Sequence, residues 1–136
     1  MPDVKNKEII RQIISCYYKV YNTLGYGFLE KVYENAMFIE LSKTVCKLQK
    51  QSAITVNYQG NNVGNYYADL IVDDSVIIEL KAAESIFQDH ENQLINYLKA
   101  TNIEIGLLLN FGKKPEFKRK IFSNFNKSFL KPASSV

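Results

Sequence analysis

The chain has 136 residues, 17 Lys and Arg against 14 Asp and Glu, a net charge of +3 and 46% hydrophobic residues. This is the size and balance of one folded domain, read as residues 1–136 with a core over about 5–123, and it excludes a two-domain enzyme and a largely disordered chain. No apolar run approaches the ~20 residues needed to span a bilayer. The polar start, Met1 to Glu8, lacks the apolar stretch of a signal peptide, so a cytoplasmic location and no membrane partner are expected.

From Lys5 to Asn22 the residues Ile9, Ile13, Tyr17, Val20 and Tyr21 recur at three- and four-residue steps. This predicts an amphipathic helix, ended by Gly25 and Gly27. A second helix is expected to begin at Gly27 and fade near Lys43, with Tyr33, Ala36 and Met37 on its inward stripe. Period-two texture then takes over in residues 47–58, with clean alternation from Ile54 to Tyr58. A turn at Gln59-Gly60-Asn61-Asn62, a strand Val63–Val72, a tight turn at Asp73-Asp74 and a strand Ser75–Lys81 complete an antiparallel meander. Helical spacing returns over residues 88–101. The apolar run Ile105–Phe111 is too short for a helix and reads as a central strand. Phe117–Ser123 is read as a short edge strand, and the last ten residues as a loose tail. The order α-α-β-β-β-α-β predicts an α/β (α+β) fold, a mixed sheet flanked by helices.

Cys16 and Cys46 have no metal-ligand spacing and are read as reduced core residues. With His90 the only histidine, a zinc site of the usual kind is nearly excluded, and no Gly-x-Ser-x-Gly elbow offers it a nucleophile. Metal chemistry here must use oxygen ligands, which points to Mg²⁺ or Mn²⁺.

In a strand, residues two apart share a face, so Glu79 and Lys81 extend from the apolar stripe begun by Ile77. Placing two charges on so hydrophobic a strand is costly unless they have partners. The Asp73-Asp74 hairpin can bring Asp69 beside Glu79, and a divalent cation is a common way to hold two adjacent carboxylates together. The plainer alternative is a Glu–Lys pair at a strand end with Asp69 near a turn. Glu30, in the first turn of the second helix, shares a face with Tyr33; it either complements the helix dipole or carries a carboxylate inward. Gln93 and Tyr97 are i,i+4 neighbours on the third helix, with His90 one turn earlier on the same side. Residues 113–136 hold Lys113, Lys114, Lys118, Arg119, Lys120, Lys127 and Lys131 against Glu116, a balance of +6 beside a body of −3. Such a stretch can bind phosphates or simply be solvated.

Gly27-x-x-Glu30-x-x-Tyr33 resembles the signature that names the GxxExxY protein family. Tyr67-Ala68-Asp69-Leu70-Ile71-Val72, Ile78-Glu79-Leu80-Lys81-Ala82, the stretch His90 to Lys99 and Gly106 to Gly112 are similar to that family in order and spacing. The family is grouped with the PD-(D/E)XK nucleases, whose α-β-β-β-α-β core agrees with the order read above, one extra helix in front. Ala68 stands where the superfamily name has proline. The resemblance implies a metal-dependent nuclease in which Asp69, Glu79 and Glu30 hold Mg²⁺ or Mn²⁺ and Lys81 assists catalysis. Gln93 and Tyr97, with Tyr33 and His90, would support the site. It further implies a nucleic-acid partner, DNA ahead of RNA, whose backbone Lys113, Lys114, Lys118, Arg119 and Lys120 would contact. A nuclease-fold module that binds nucleic acid or a partner protein without cutting is the alternative, and a homodimer is a further expected assembly.

Overall fold

In a computed structural model the described residues are 4–127. Helices α1 (Val4–Leu24) and α2 (Glu30–Ser42) precede strands β1 (Leu48–Tyr58), β2 (Asn61–Val72) and β3 (Val76–Lys81). Helix α3 (Gln88–Lys99), strands β4 (Ile105–Phe111) and β5 (Pro115–Ile121) and a 3₁₀ turn at Asn124–Asn126 complete the chain. The five strands form one sheet in the order β1-β2-β3-β4-β5. All neighbours are antiparallel except β3 and β4, which α3 joins as a parallel pair. Among the described residues no helix is long and apolar enough to cross a membrane.

Each face of the sheet carries its own core. Tyr17, Tyr33, Met37 and Leu41 of α1 and α2 pack on Leu70, Val72, Ile78, Leu80 and Phe111. On the other face Leu94, Tyr97 and Leu98 of α3 cover Ile54, Ala68, Ile71, Ile77 and Leu108. β3 and β4 are buried on both faces, which is why they read as unbroken apolar runs rather than alternating ones. Gly106 lets α3 approach: a Cβ there would lie 2.6 Å from Leu94 Cδ1.

The differences from the sequence reading are local and have physical causes. The β1–β2 turn is the two residues Gln59 and Gly60, both at positive φ, so Asn61 and Asn62 pair in the ladder instead of turning. Asp73 and Asp74, also both at positive φ, are the central residues of the three-residue β2–β3 loop, whose turn Ser75 N closes by donating to Val72 O at 2.9 Å; Asp73 Oδ1 accepts from Lys47 N at 2.7 Å. The edge strand begins two residues early, at Pro115, because the chain reverses directly after Gly112. Gly27 does not start α2; it is a loop residue at φ 108, and the helix begins at Glu30. Cys46 is exposed, so only Cys16 is a core residue, and both are free. The loose tail expected for the last ten residues lies, apart from Lys127, outside the described residues. Lys127 itself is buried, its Nζ donating to Thr101 O and Ile103 O.

Candidate active site

The antiparallel ladder between β2 and β3 runs Val72↔Val76, Ile71↔Ile77, Leu70↔Ile78 and then stops. The next pair would be Asp69 and Glu79. Here the strands part, and the two carboxylates replace the missing ladder bonds: Asp69 N donates to Glu79 Oε2 at 2.8 Å, and Leu80 N donates to Asp69 Oδ2 at 2.8 Å. The parting coincides with a switch of faces. Leu70 and Ala68, two apart, lie in opposite cores, as do Leu48 and Ile54 of β1. Opposite the switch Gln51 takes φ 49, a left-handed conformation that costs a non-glycine residue of order 1–2 kcal/mol. That is why the alternation of residues 47–58 becomes clean only at Ile54.

Glu79 is only 5% exposed. Burial, and then the neighbouring Asp69 charge, push its carboxyl up to about 8. Burial also raises Asp69, against the hydrogen bonds from Leu80 N and Gln51. Glu79 and Lys81 do share the α3 face with Ile77, as strand periodicity requires, and Lys81 sits half-buried at the strand end opposite Asn110. Asn110 fixes the segment after Lys81, accepting from Ala83 N at 3.0 Å and donating to Ala83 O at 2.9 Å.

The other sequence candidates divide. Tyr97 is buried over the site, and burial followed by the Glu79 charge pushes its phenol up to about 12. Gln93 Nε2 donates to Tyr97 Oη at 2.9 Å. His90 caps α3, its Nδ1 accepting from Phe87 N at 3.3 Å, and lines the same groove as Gln93 and Tyr97. Tyr33 is committed elsewhere: it stacks on Phe111 at 4.2 Å, donates to Gly25 O at 2.7 Å and accepts from Phe28 N at 3.1 Å. It therefore pins the loop before α2.

Glu30 is exposed at the first residue of α2, and its charge reaches Glu79 only as the weakest of the influences on it. Among the described residues no three His, Cys, Asp or Glu side chains are gathered to hold a metal ion. The acid that α2 turns inward is Glu34, 5% exposed. Gln51 Nε2 bridges Glu34 Oε1 (2.8 Å) and Asp69 Oδ1 (3.2 Å), while Lys31 lies 3.1 Å and Lys50 3.8 Å from Glu34 Oε2. The signal was present: residues 30, 34, 37 and 41 form one helical stripe whose last two members are core residues.

The basic residues do not share one face. Lys118 and Lys120 stand opposite Leu108 and Gly106 on the α3 face, whereas Arg119 stands opposite Leu107 on the other. Lys120 is paired with Glu91 at 2.5 Å, and Lys113 and Lys114 line a cleft with Glu84 and Glu116.

A family model described as the PD-(D/E)XK nuclease superfamily matches residues 7–120. The chain belongs to this superfamily. Its mixed sheet and flanking helices are those of a restriction-endonuclease-like fold. Among solved structures, the protein of "Crystal structure of SSO0001" is similar at 16% identity, TM-score 0.54, over 76% of this chain and 60% of that one. The chain thus spans about three-fifths of that protein, a likeness of fold. No curated protein matches the sequence.

Superfamily membership makes a nuclease-type function the coarse reading of the site. The donor set also fits the divalent metals such nucleases generally use. Two carboxylates whose proton affinity is raised by burial, and further by a neighbouring acid (Asp69 for Glu79, Glu34 for Asp69), suit a hard cation, which would relieve both. Mg²⁺ is commonly held by one or two carboxylates, with water and substrate phosphate completing its shell.

Proposed function

We propose that the protein is a metal-dependent nuclease of the GxxExxY type, cleaving phosphodiester bonds at Asp69, Glu79 and Lys81. The observation that carries this reading is the interlocked pair: each carboxylate caps a backbone N–H of the opposite strand where β2 and β3 part. Both acids are thereby fixed at one point, with Lys81 two residues beyond Glu79 on the same face.

Asp69 and Glu79 would hold Mg²⁺ or Mn²⁺, which when bound supplies Lewis acidity toward a phosphate oxygen and lowers the pKa of water. Lys81 would orient the attacking water and offset the charge that develops on the phosphate. Gln51 steadies Asp69, and Asn110 steadies the backbone after Lys81. Tyr97, its phenol kept protonated, is a hydrogen-bond donor above the site, and Glu30 contributes only its field. Lys118 and the exposed Lys113 and Lys114 would bind backbone phosphates without reading sequence.

Purified protein is incubated with plasmid, single-stranded DNA and RNA in Mg²⁺ or Mn²⁺, beside Asp69→Ala and Lys81→Ala. Cleavage by the wild type and its loss in both variants is expected. No cleavage by the wild type, or equal cleavage by the variants, overturns the enzyme reading in favour of a module that binds without cutting.

A further inference from the structure

On the α3 face, a groove of about 870 Å³ separates α3 from the outer half of the β1–β2 hairpin. Asn57 and Tyr66 line the hairpin side; Gln93, Asn96, Tyr97 and Lys99 line the helix side. Tyr66 is half exposed, its ring 5.7 Å from that of Tyr97. The side-chain amides of Asn57 and Asn96 have no hydrogen-bond partner among the described residues. Charge is sparse here: Lys99 is offset by Asp89, and Lys118 and Lys120 lie on β5, at the opposite edge of the sheet from the hairpin. The groove therefore lacks the row of cations that tracks a phosphate backbone. It offers instead an aromatic face with free amides, each amide presenting both a donor and an acceptor.

Resting on the nuclease reading above, we propose that this groove receives unpaired nucleobases, so that the substrate is a single strand or a flap entering the site from the hairpin side. In a duplex, base faces are stacked and base edges are paired. Only an unpaired base can lay its face on Tyr66 and offer its edge to Asn57 and Asn96. Tyr97 links the two regions, since it lines the groove and packs over the same core face from which Glu79 extends. Stacking tolerates any base and amides can re-pair, so little sequence preference follows.

The test is fluorescence anisotropy of the full chain in EDTA, with a labelled oligothymidylate, an oligouridylate and a DNA duplex. Either single strand should bind at least about tenfold tighter than the duplex. Tyr66→Ala should weaken single-strand binding about tenfold, while Tyr66→Phe, which keeps the ring, should not. Asn96→Asp, which adds a negative charge at an exposed position, should weaken it without changing the melting temperature. Duplex binding as tight as single-strand binding, no binding of either strand, or wild-type binding by both Tyr66→Ala and Asn96→Asp overturns the assignment. The two readings fail separately. Cleavage of duplex with no single-strand preference removes this inference and leaves the nuclease standing; single-strand binding without any cleavage does the reverse.

Discussion

Glu79→Gln in metal-free protein probes the electrostatics of the site. In the folded chain the Glu79 carboxyl is pushed up to about 8, against 4.5 for an ordinary glutamate. Between those values the folded state holds a proton that the unfolded state has released. The Glu79 contribution to stability is therefore full below pH 4.5 and is lost as pH rises to about 8, by up to ~1.36 kcal/mol per unit. The whole interval amounts to a ceiling of about 5 kcal/mol; water reaching the half-buried Asp69 side should reduce this to roughly 2–3 kcal/mol. Glutamine has the same shape, still accepts from Asp69 N, and does not titrate. Urea unfolding in EDTA should find the two proteins similar near pH ~5 and the variant more stable by roughly 2–3 kcal/mol near pH ~8.5. Mg²⁺ should then stabilise the wild type and not the variant, since a ligand that binds only the folded state raises stability by mass action. Parallel pH profiles for the two proteins would refute the claim that Glu79 is a strained, buried carboxylate.

Three further outcomes are expected. Gly106→Ala places a Cβ 2.6 Å from Leu94 Cδ1 and should cost about 1–3 kcal/mol in urea unfolding, with Leu94→Ala in the same chain recovering part of it. Tyr33→Phe removes the hydroxyl that joins Gly25 O and Phe28 N and should cost about 1–3 kcal/mol, with faster amide exchange confined to residues 25–29. Gln51→Leu leaves Asp69 and Glu34 facing each other without the bridging amide. It should weaken Mn²⁺ binding about tenfold by calorimetry, comparable to losing a group that orients a metal ligand.

The element order was legible because each element obeys its own period. α1 and α3 bury one stripe, and β3 and β4, buried on both faces, read as unbroken apolar runs. Strand parity alone placed Glu79 and Lys81 on one face with Ile77, and the Asp73-Asp74 turn foretold the approach of Asp69. What stayed hidden depends on departures from those periods. The left-handed Gln51 carries no glycine to announce it, and the face switch it accompanies is invisible to a pattern of twos. Glu30 and Glu34 lie on one stripe with Met37 and Leu41, so periodicity does not tell which of the two acids is buried; the fold buries Glu34, one turn into the helix, and leaves Glu30 at its exposed first residue. The start of β5 at Pro115 is not legible, because an edge strand dressed with Lys118, Arg119 and Lys120 carries little apolar signal.

The central claim is that Asp69 and Glu79 together hold a divalent cation beside Lys81. A crystal soaked in Mn²⁺ and measured for anomalous scattering tests it most directly. The account predicts one peak bonded to a carboxylate oxygen of each residue, at about 2.1–2.2 Å. A peak that touches neither residue, or none under saturating Mn²⁺, would contradict it.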